Sequence, residues 1–136
     1  MNDLTAARAF FAQDRYSMEV TGIRIDAVED HFSRVSLPLE ARHKNAFGNV
    51  MGGVICTIAD FAFAVATNDP EHLTVTVVSQ QNFLSPSHGS TLYAECHAVR
   101  EGRRNCFYQV DVTDDLDTHV ALVTFTGAHV TPTVQA

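Results

Sequence analysis

The stretch that decides the fold is VICTIADFAFAVAT, residues 54–67, which carries a single charged residue, Asp60. A helix that is apolar almost all round has to be buried on nearly every side, so this stretch predicts a central helix. An ionised carboxylate in such surroundings costs several kcal/mol unless it is paired, hydrogen-bonded or open to a cleft. Asp60 is therefore the first candidate for a residue that is kept for chemistry.

Length, composition and charge limit the classes of protein to which the chain can belong. Its 136 residues predict one domain over 1–136, and 46% hydrophobic with 18% charged residues is ordinary for a globular protein. The formal net charge of -7 argues against non-specific binding to nucleic acid or to an anionic membrane. No segment reaches the roughly 18 apolar residues of a bilayer span. We expect no nucleic-acid partner and no membrane partner.

The cysteines and histidines form no recognised pairing in the sequence. Three cysteines without CxxC spacing argue against a disulfide framework, and seven histidines without HxH or HxxxH spacing argue against a metal site. We therefore expect no metal, no cofactor and a reduced, cytoplasmic setting. Cys56, inside the apolar stretch, is expected to be a small core residue, and His43 is expected to lie in a surface loop.

Hydrophobic periodicity predicts the order of the elements. A short helix at 4–13 precedes two strands at 19–28 and 31–37, the central helix at 54–67, and four strands at 73–84, 91–100, 105–113 and 118–130. Short turns between the last four strands favour antiparallel neighbours. Because the apolar helix needs cover on most of its circumference, the sheet has to curl around it, which gives an α+β fold. A second protomer is expected to complete the cover.

Two consecutive glycines, Gly52 and Gly53, stand where the helix begins. A helix amino terminus offers unpaired N–H groups with a partial positive charge, and glycine lets a ligand approach them closely. Gly52 and Asp60 are about 12 Å apart along one helix at 1.5 Å per residue, whereas reacting groups must come within roughly 3 Å. Two antiparallel helices across a two-fold axis would bring Gly52 of one protomer to the partner's Asp60. The spacing thus predicts a shared site at a dimer interface.

The run Asn45-x-x-Gly48-x-x-Met51-Gly52-Gly53, followed after six residues by Asp60, resembles the signature of hotdog-fold thioesterases of the phenylacetate-degradation (PaaI-like) type. Three further stretches are similar to that family: ADFAFAVATN at 59–68, LTVTVVSQQNFLSP at 73–86 with the glycine at 89, and Arg-x-Gly at 100–102. The resemblance covers most of the chain. It implies a hotdog fold, in which a curled antiparallel sheet wraps around the central helix.

The resemblance also implies an activity, the hydrolysis of acyl-coenzyme A thioesters. In similar enzymes the N–H at the Gly52 position polarises the thioester carbonyl as an oxyanion hole, and the Asn45 side chain helps to place the substrate or the water. The partner's Asp60 acts as a general base for water or as a direct nucleophile. By the same likeness, the hydroxyl of Thr76 assists from a strand. Similar proteins are homodimers with shared sites, and homotetramers are common among them.

Four further residues are expected to contact the substrate. Met51 and Gly53 flank Gly52, Phe63 offers an apolar surface to the acyl group, and Arg103 lies in a turn where it could receive the coenzyme A phosphates. Met51 stands where similar enzymes commonly have His, and Met neither titrates nor hydrogen-bonds usefully. A non-catalytic acyl-CoA-binding or sensing module is therefore the alternative. A hotdog dehydratase would need a catalytic His in a different loop pattern, and none is evident.

Overall fold

A six-stranded antiparallel sheet wraps around one long helix in the computed structural model of the chain, which describes residues 1–132. The elements are α1 (Leu4–Phe11), a π-helical turn (Tyr16–Thr21), β1 (Arg24–Glu29), β2 (Phe32–Pro38), a 3-10 turn (Ala41–His43), α2 (Gly52–Thr67), β3 (Leu73–Phe83), β4 (Thr91–Glu101), β5 (Asn105–Asp114) and β6 (His119–Val130). The predicted α+β architecture is confirmed. The single domain predicted over 1–136 includes residues 133–136, which lie outside the described residues.

The central helix α2 begins at Gly52, two residues before the predicted start. Its buried face consists of aliphatic, alanine and phenylalanine side chains that the sheet covers. One narrow stripe is left open, with Gly53 and Asp60 exposed and Cys56, Thr57 and Ala64 partly exposed. These residues recur at helical spacing, so they share one side of the helix. The prediction that Cys56 is a core residue is therefore wrong.

The strands of the sheet lie in the order β1-β2-β4-β5-β6-β3, and every neighbouring pair is antiparallel. The predicted neighbours are confirmed for β4–β5 and β5–β6, but the expected pairing of β3 with β4 is wrong. Among residues 1–132, β3 pairs with β6 alone, at the far edge of the sheet. The connection 84–90 crosses the ends of β5 and β6 instead of turning back. It is fixed there by the buried Ser87, whose Oγ donates to Asp114 Oδ2 at 2.7 Å.

The predicted first strand, 19–28, is wrong over its first residues, which belong to the π-helical turn. The N–H groups of Gly22 and Ile23 both donate to the Ser17 carbonyl, at 3.1 and 2.9 Å. Val20 and Thr21 are β-branched and suggested a strand. Gly22 has a φ of 91°, a left-handed conformation that ends the helical turn and starts β1 two residues later. The first helix also ends earlier than predicted, at Phe11.

His43 is buried, so the prediction of a surface-loop residue is wrong. Its Nδ1 accepts the backbone N–H of Glu40 at 3.0 Å, and its Nε2 therefore donates to the Thr21 carbonyl at 2.7 Å. The backbone carbonyl of His43 in turn accepts the N–H of Met51 at 2.9 Å. His43 thus joins the π-helical turn to the residue that precedes α2.

The concave side of the sheet forms the core with α2. Phe63 stacks on Phe125 with ring centroids 4.6 Å apart and meets Tyr108 edge-on at 5.4 Å. A Cβ added to Gly127 would lie 2.8 Å from Phe63 Cζ and 2.9 Å from Cys106 Sγ, so only glycine fits beside them. No helix in residues 1–132 is long and apolar enough to cross a membrane.

Candidate functional site

The amino terminus of α2 presents bare backbone donors. Within the described residues, the N–H groups of Gly52 and Gly53 have no intramolecular acceptor. Met51 occupies the N-cap with an extended backbone and makes no side-chain capping bond. The partial positive charge of the helix end and these two donors favour an anion or a developing oxyanion at this place.

The loop that leads to α2 is organised by Asn45. Its Oδ1 accepts the N–H groups of Phe47 and Asn49 at 3.0 and 3.1 Å, and its own N–H donates to the Asn49 carbonyl at 2.8 Å. The side-chain carbonyl is therefore committed to the turn. The side-chain NH2 group has no intramolecular acceptor in the described part of the chain, so the turn holds Asn45 with two side-chain donors available.

A cavity of about 300 Å³ opens beside the start of α2. Its walls are mainly apolar and include Gly52, Ile55, Phe83, Leu84 and Val120. A Cβ added to Gly52 would lie 3.5 Å from Phe83 Cζ, so the bare glycine backbone forms part of the wall. The cavity offers an apolar surface directly next to the donors of the helix terminus.

Asp60 lies two helical turns from Gly53 on the open stripe of α2. Its carboxylate reaches the surface of the single chain and has no hydrogen-bond donor or cation partner in residues 1–132. Packing around its base removes water and raises the pKa of Asp60, and the negative charge of Asp14 raises it further. A carboxylate with a raised pKa is a better match for proton transfer near neutral pH than an ordinary one.

Cys56, one turn before Asp60, is poorly placed to act as a nucleophile. Burial raises the pKa of its thiol, and the charge of Asp60 adds to that rise. The reactive species of cysteine is the thiolate, whose population falls as the pKa rises. The open stripe therefore has one side chain suited to activate water, and that is Asp60.

The remaining predicted site residues fall in three places. Thr76 pairs with Gly127 across β3 and β6, so it faces the helix side of the sheet, where it is exposed. Phe63 is 2% exposed in the core, and the fold does not bring it to the open stripe. Arg103 lies in the β4–β5 turn on the wall of a second cavity, beyond the carboxyl end of α2. The structure thus gathers Asn45, Met51, Gly52 and Gly53 at one end of the helix.

The second cavity is the larger of the two, about 560 Å³, and no sequence pattern predicted it. Its wall carries Glu101 and His129, with Cys106 behind them, and the possible ligand atoms of these three residues all lie within 4.8 Å of one another. They come from three different strands. No local spacing could reveal them, because the sheet order had to be known first.

The thioesterase superfamily matches residues 47–121, which is more than half of the chain and includes both Gly52 and Asp60. The chain belongs to the thioesterase superfamily. The acyl-coenzyme A thioesterase PaaI of Escherichia coli K12 is 27% identical to this superfamily member over 117 residues, which are 85% of this chain and 83% of the relative. The solved structure of PaaI from the E. coli phenylacetic acid degradation operon matches with a TM-score of 0.83 over 98% and 100% of the two chains, at 23% identity.

Two further solved structures agree with this thioesterase-superfamily fold. A hypothetical thioesterase from Streptococcus pneumoniae, solved with coenzyme A, has a TM-score of 0.81 at 21% identity, over 91% and 99% of the chains. A mutant of the phenylacetic acid degradation protein PaaI from Thermus thermophilus has a TM-score of 0.75 at 27% identity, over 82% and 96%. The predictions of a PaaI-like hotdog fold and of a thioester hydrolase are confirmed.

Proposed function

We propose that this superfamily member hydrolyses an acyl-coenzyme A thioester to the free acid and coenzyme A, at a site that two protomers share. The observation that carries the proposal is the open stripe of α2, which includes the carboxylate of Asp60, without a partner in residues 1–132, and lies next to the bare donor of Gly52 at the helix terminus. The E. coli relative is an acyl-coenzyme A thioesterase, and the S. pneumoniae neighbour was solved with coenzyme A. Both names support this class of substrate.

The chemistry follows from the charge that develops on the thioester oxygen. The Gly52 N–H and the helix terminus stabilise that oxygen, and the two side-chain donors of Asn45 help to place the thioester or the water. With Asp60 as a base, a water oxygen attacks the carbonyl carbon and its proton passes to the carboxylate. The tetrahedral intermediate then expels the coenzyme A thiolate, which takes that proton. With Asp60 as a nucleophile, its carboxylate attacks the carbonyl carbon and the C–S bond breaks, which gives an anhydride and the coenzyme A thiolate. Water then cleaves the anhydride to the free acid and Asp60, and the proton released passes to the thiolate.

The sharing of the site between protomers is supported by the exposed edge of the sheet. Val75, Val77 and Val78 on β3 are 41%, 58% and 57% exposed, and an apolar edge strand of this kind invites pairing with another chain. A second copy that covers β3 and the open stripe would bring Gly52 close to the partner's Asp60. We propose a homodimer as the active unit, and the assembly of two dimers into a homotetramer stays a prediction that mass measurement tests.

Three other surfaces are proposed to receive the remainder of the substrate. The apolar cavity at Phe83 takes the acyl group, while Thr76 faces the reacting atoms from β3. Arg103 is proposed to bind coenzyme A phosphates. Because the helices run antiparallel in the proposed dimer, the carboxyl end of one α2, and with it Arg103, lies towards the amino end of the partner's helix.

The first experiment measures thiol release from a panel of short, medium, aromatic and long acyl-CoAs. The native chain is expected to turn over at least one class, and Asp60→Asn is expected to lower that turnover by about 10²- to 10⁴-fold. Asp26→Asn is the matched control, because Asp26 is an exposed carboxylate on the opposite edge strand. Equal activity of Asp60→Asn and the native chain would rule out the assigned role.

Complementation between two impaired chains tests the sharing of the site. In a mixed dimer of Asp60→Asn and Gly52→Ala, one site combines the intact Gly52 with the intact Asp60, and the other site has neither. A random equal mixture is therefore expected to regain about a quarter of native activity. If each protomer carries its own complete site, mixing regains nothing.

One observation favours the second candidate, a non-catalytic acyl-CoA-binding module. Met51 is 55% exposed directly before Gly52, at the position where similar enzymes commonly have a titratable His. Tight binding of acyl-CoA without thiol release by the native chain would establish this alternative. In that event Met51→His is expected to produce measurable turnover, since the donor and the carboxylate are already present.

A further inference from the structure

A second cluster of reactive side chains lies at the opposite end of α2 from Gly52. Glu101 of β4, Cys106 of β5 and His129 of β6 point towards one another beside the larger cavity. The helix spans 16 residues, so about 24 Å separates this cluster from the start of α2 in the same chain. None of the three residues takes part in the proposed hydrolysis.

A β-bulge is what brings Glu101 into the cluster. Ala98 pairs with Tyr108 and Glu101 pairs with Cys106, so β4 has one residue more than β5 between these pairs. Strand residues alternate between the two faces, and without the extra residue Glu101 would point away from the core. Cys106 is fully buried and pairs with Gly127 on β6, and His129 follows on the same face two residues later.

His129 is hydrogen-bonded to Thr74 on one side of its ring and to Glu101 on the other. Thr74 donates its one hydroxyl proton to the Thr67 carbonyl at 3.2 Å, so its Oγ1 accepts the Nδ1–H of His129 at 2.9 Å. This tautomer directs the Nε2 lone pair of His129 at Oε1 of Glu101, with which Nε2 is in close contact. A lone pair and a carboxylate oxygen in contact need a proton or a cation between them.

The other side of Glu101 is already fixed. Tyr108 donates its hydroxyl proton to Oε2 of Glu101 at 2.6 Å and accepts a hydrogen bond from Nδ1 of His31 at 3.1 Å. Metal-binding histidines and carboxylates are usually held by such outer partners, which fix the tautomer and the orientation of the ligand atom. Thr74 and Tyr108 occupy those outer positions for His129 and Glu101.

We propose that Glu101, Cys106 and His129 bind a divalent cation of the zinc class. One carboxylate oxygen, one thiolate sulfur and one imidazole nitrogen form the mixed ligand set that Zn²⁺ prefers over Mg²⁺ or Ca²⁺. In a tetrahedral zinc site the ligand atoms are about 3.3–3.8 Å apart, so a small separation of Glu101 from His129 opens the site. Cation entry releases the thiol proton of Cys106, and any proton held between Glu101 and His129, to solvent.

The fourth coordination position of this site faces the larger cavity, where it takes water or an anionic ligand. The cavity is lined by more carboxylates than cationic groups: Asp30, Asp69 and Glu71 stand with Glu101 against Arg103 and the amino group of Met1, which lies 3.9 Å from Asp30. This charge raises the local concentration of cations at the entrance. Zinc sites with three protein ligands and one open position are of the type that binds exchangeable ligands, whereas purely structural sites are closed.

The test titrates chelator-treated full-length protein with Zn²⁺ by calorimetry and with Co²⁺ by absorption spectroscopy. One equivalent per chain is expected, with the thiolate-to-Co²⁺ charge-transfer band of a sulfur ligand. Cys106→Ser should remove that band, and His129→Asn should weaken binding at least a hundredfold. Thr74→Val, which leaves all three ligands in place, should weaken it by about 10- to 100-fold.

Matched controls are Cys56→Ser and His119→Asn, since both residues are accessible and lie outside the cluster. Both are expected to bind like the native chain, and so is Asp60→Asn, whose defect concerns hydrolysis alone. The proposal is overturned if the native chain shows no stoichiometric binding, or if Cys106→Ser and Thr74→Val both bind as the native chain does. Circular dichroism verifies the fold of each variant, and Thr74→Val together with the controls decides the matter if a ligand variant does not fold.

Discussion

The two ends of α2 differ in how their backbone groups are satisfied. At the carboxyl end, Thr67 Oγ1 donates to the Phe63 carbonyl at 2.7 Å and Asn68 Nδ2 donates to the Ala64 carbonyl at 3.0 Å. The Thr67 carbonyl accepts the hydroxyl of Thr74. At the amino end, in contrast, the first two N–H groups have no partner in residues 1–132.

The comparison shows that the chain uses capping side chains at one end of α2 and lacks them at the other. Ser, Thr, Asp and Asn are the favoured N-caps, and replacing one of them by a non-capping residue costs about 1 kcal/mol. The chain places such side chains at the other end of the helix but has Met51 at the N-cap. A capping residue at position 51 would stabilise the helix, but its side chain would occupy the free N–H groups. The absence of such a residue is expected if those donors bind a ligand.

Asp60→Asn should give the largest effect at the open end, and it should move activity and stability in opposite directions. Loss of the base or nucleophile is expected to lower kcat by about 10²- to 10⁴-fold. Because the pKa of Asp60 is raised in the folded chain, the folded state loses stability as pH rises from the ordinary carboxyl range through that raised pKa. The variant avoids this loss. Its Tm should therefore match that of the native chain near pH 4 and exceed it at pH 7.

A pair of glycine variants sharpens the comparison at the amino end. Gly52→Ala is expected to lower kcat/KM by about 10- to 100-fold, because a methyl group then covers the donor, while its contact with Phe83 at 3.5 Å is an ordinary one. Gly53→Ala, whose methyl group would meet only Met51, should have a smaller effect. Thermal melting is expected to show equal or higher stability for both. A Gly52→Ala enzyme with native kcat/KM would argue against the oxyanion role.

Asn68→Ala removes hydrogen bonds at the carboxyl end of α2 instead. It removes the bond to the Ala64 carbonyl and leaves the N–H of Thr74, which now donates to Asn68 Oδ1 at 2.7 Å, without its acceptor. We expect a loss of about 1–3 kcal/mol in the free energy of unfolding, measured with urea. The kcat should stay within a factor of two of the native value at a temperature where both proteins are folded. A large loss of kcat without a loss of stability would contradict the assignment of stability to the carboxyl end and of activity to the amino end.

Asp14→Asn is expected to give the smallest effect, on pH dependence alone. The charge of Asp14 contributes to the raised pKa of Asp60, so its removal lowers that pKa. Since the proposed hydrolysis needs ionised Asp60, the acid limb of the kcat profile should move to lower pH with an unchanged plateau. Asp26→Asn, which removes a carboxylate from the opposite edge strand, should leave the limb in place. A shift towards higher pH would contradict the assignment of that limb to Asp60.

Much of the fold could be predicted because the hydrophobic pattern is strong where burial is complete. The apolar run 54–67 required a surrounding sheet, and the alternating strands supplied one. The π-helical turn was missed because the β-branched Val20 and Thr21 favour strands locally, and tertiary packing overrides that preference. The position of β3 was missed because loop length alone does not tell a hairpin from a crossover when a buried bond such as Ser87–Asp114 holds the loop across other strands.

The candidate site was predictable where its residues are close in sequence. Gly52 and Asp60 share one helix, so their geometry followed from the helical repeat. Phe63 was expected at the substrate, and the structure has it in the core, because the sequence does not say which stripe of an apolar helix the sheet leaves open. The cluster at Glu101 depends on a β-bulge and on the order of three strands. The spacing of residues along the sequence predicts neither of these.

The position of β3 at the sheet edge affects how the chain folds during its synthesis. Strand β3 (Leu73–Phe83) has one partner in the sheet of the described residues, β6 (His119–Val130), which is the last of these six strands to be synthesised. During synthesis the apolar residues of β3 have no strand partner until β4, β5 and then β6 have been made. Non-local pairing of this kind slows folding and lengthens exposure to aggregation. The proposed dimer edge therefore gains its place in the six-stranded sheet only after β6 has been synthesised, so a second copy can be recognised only after that step.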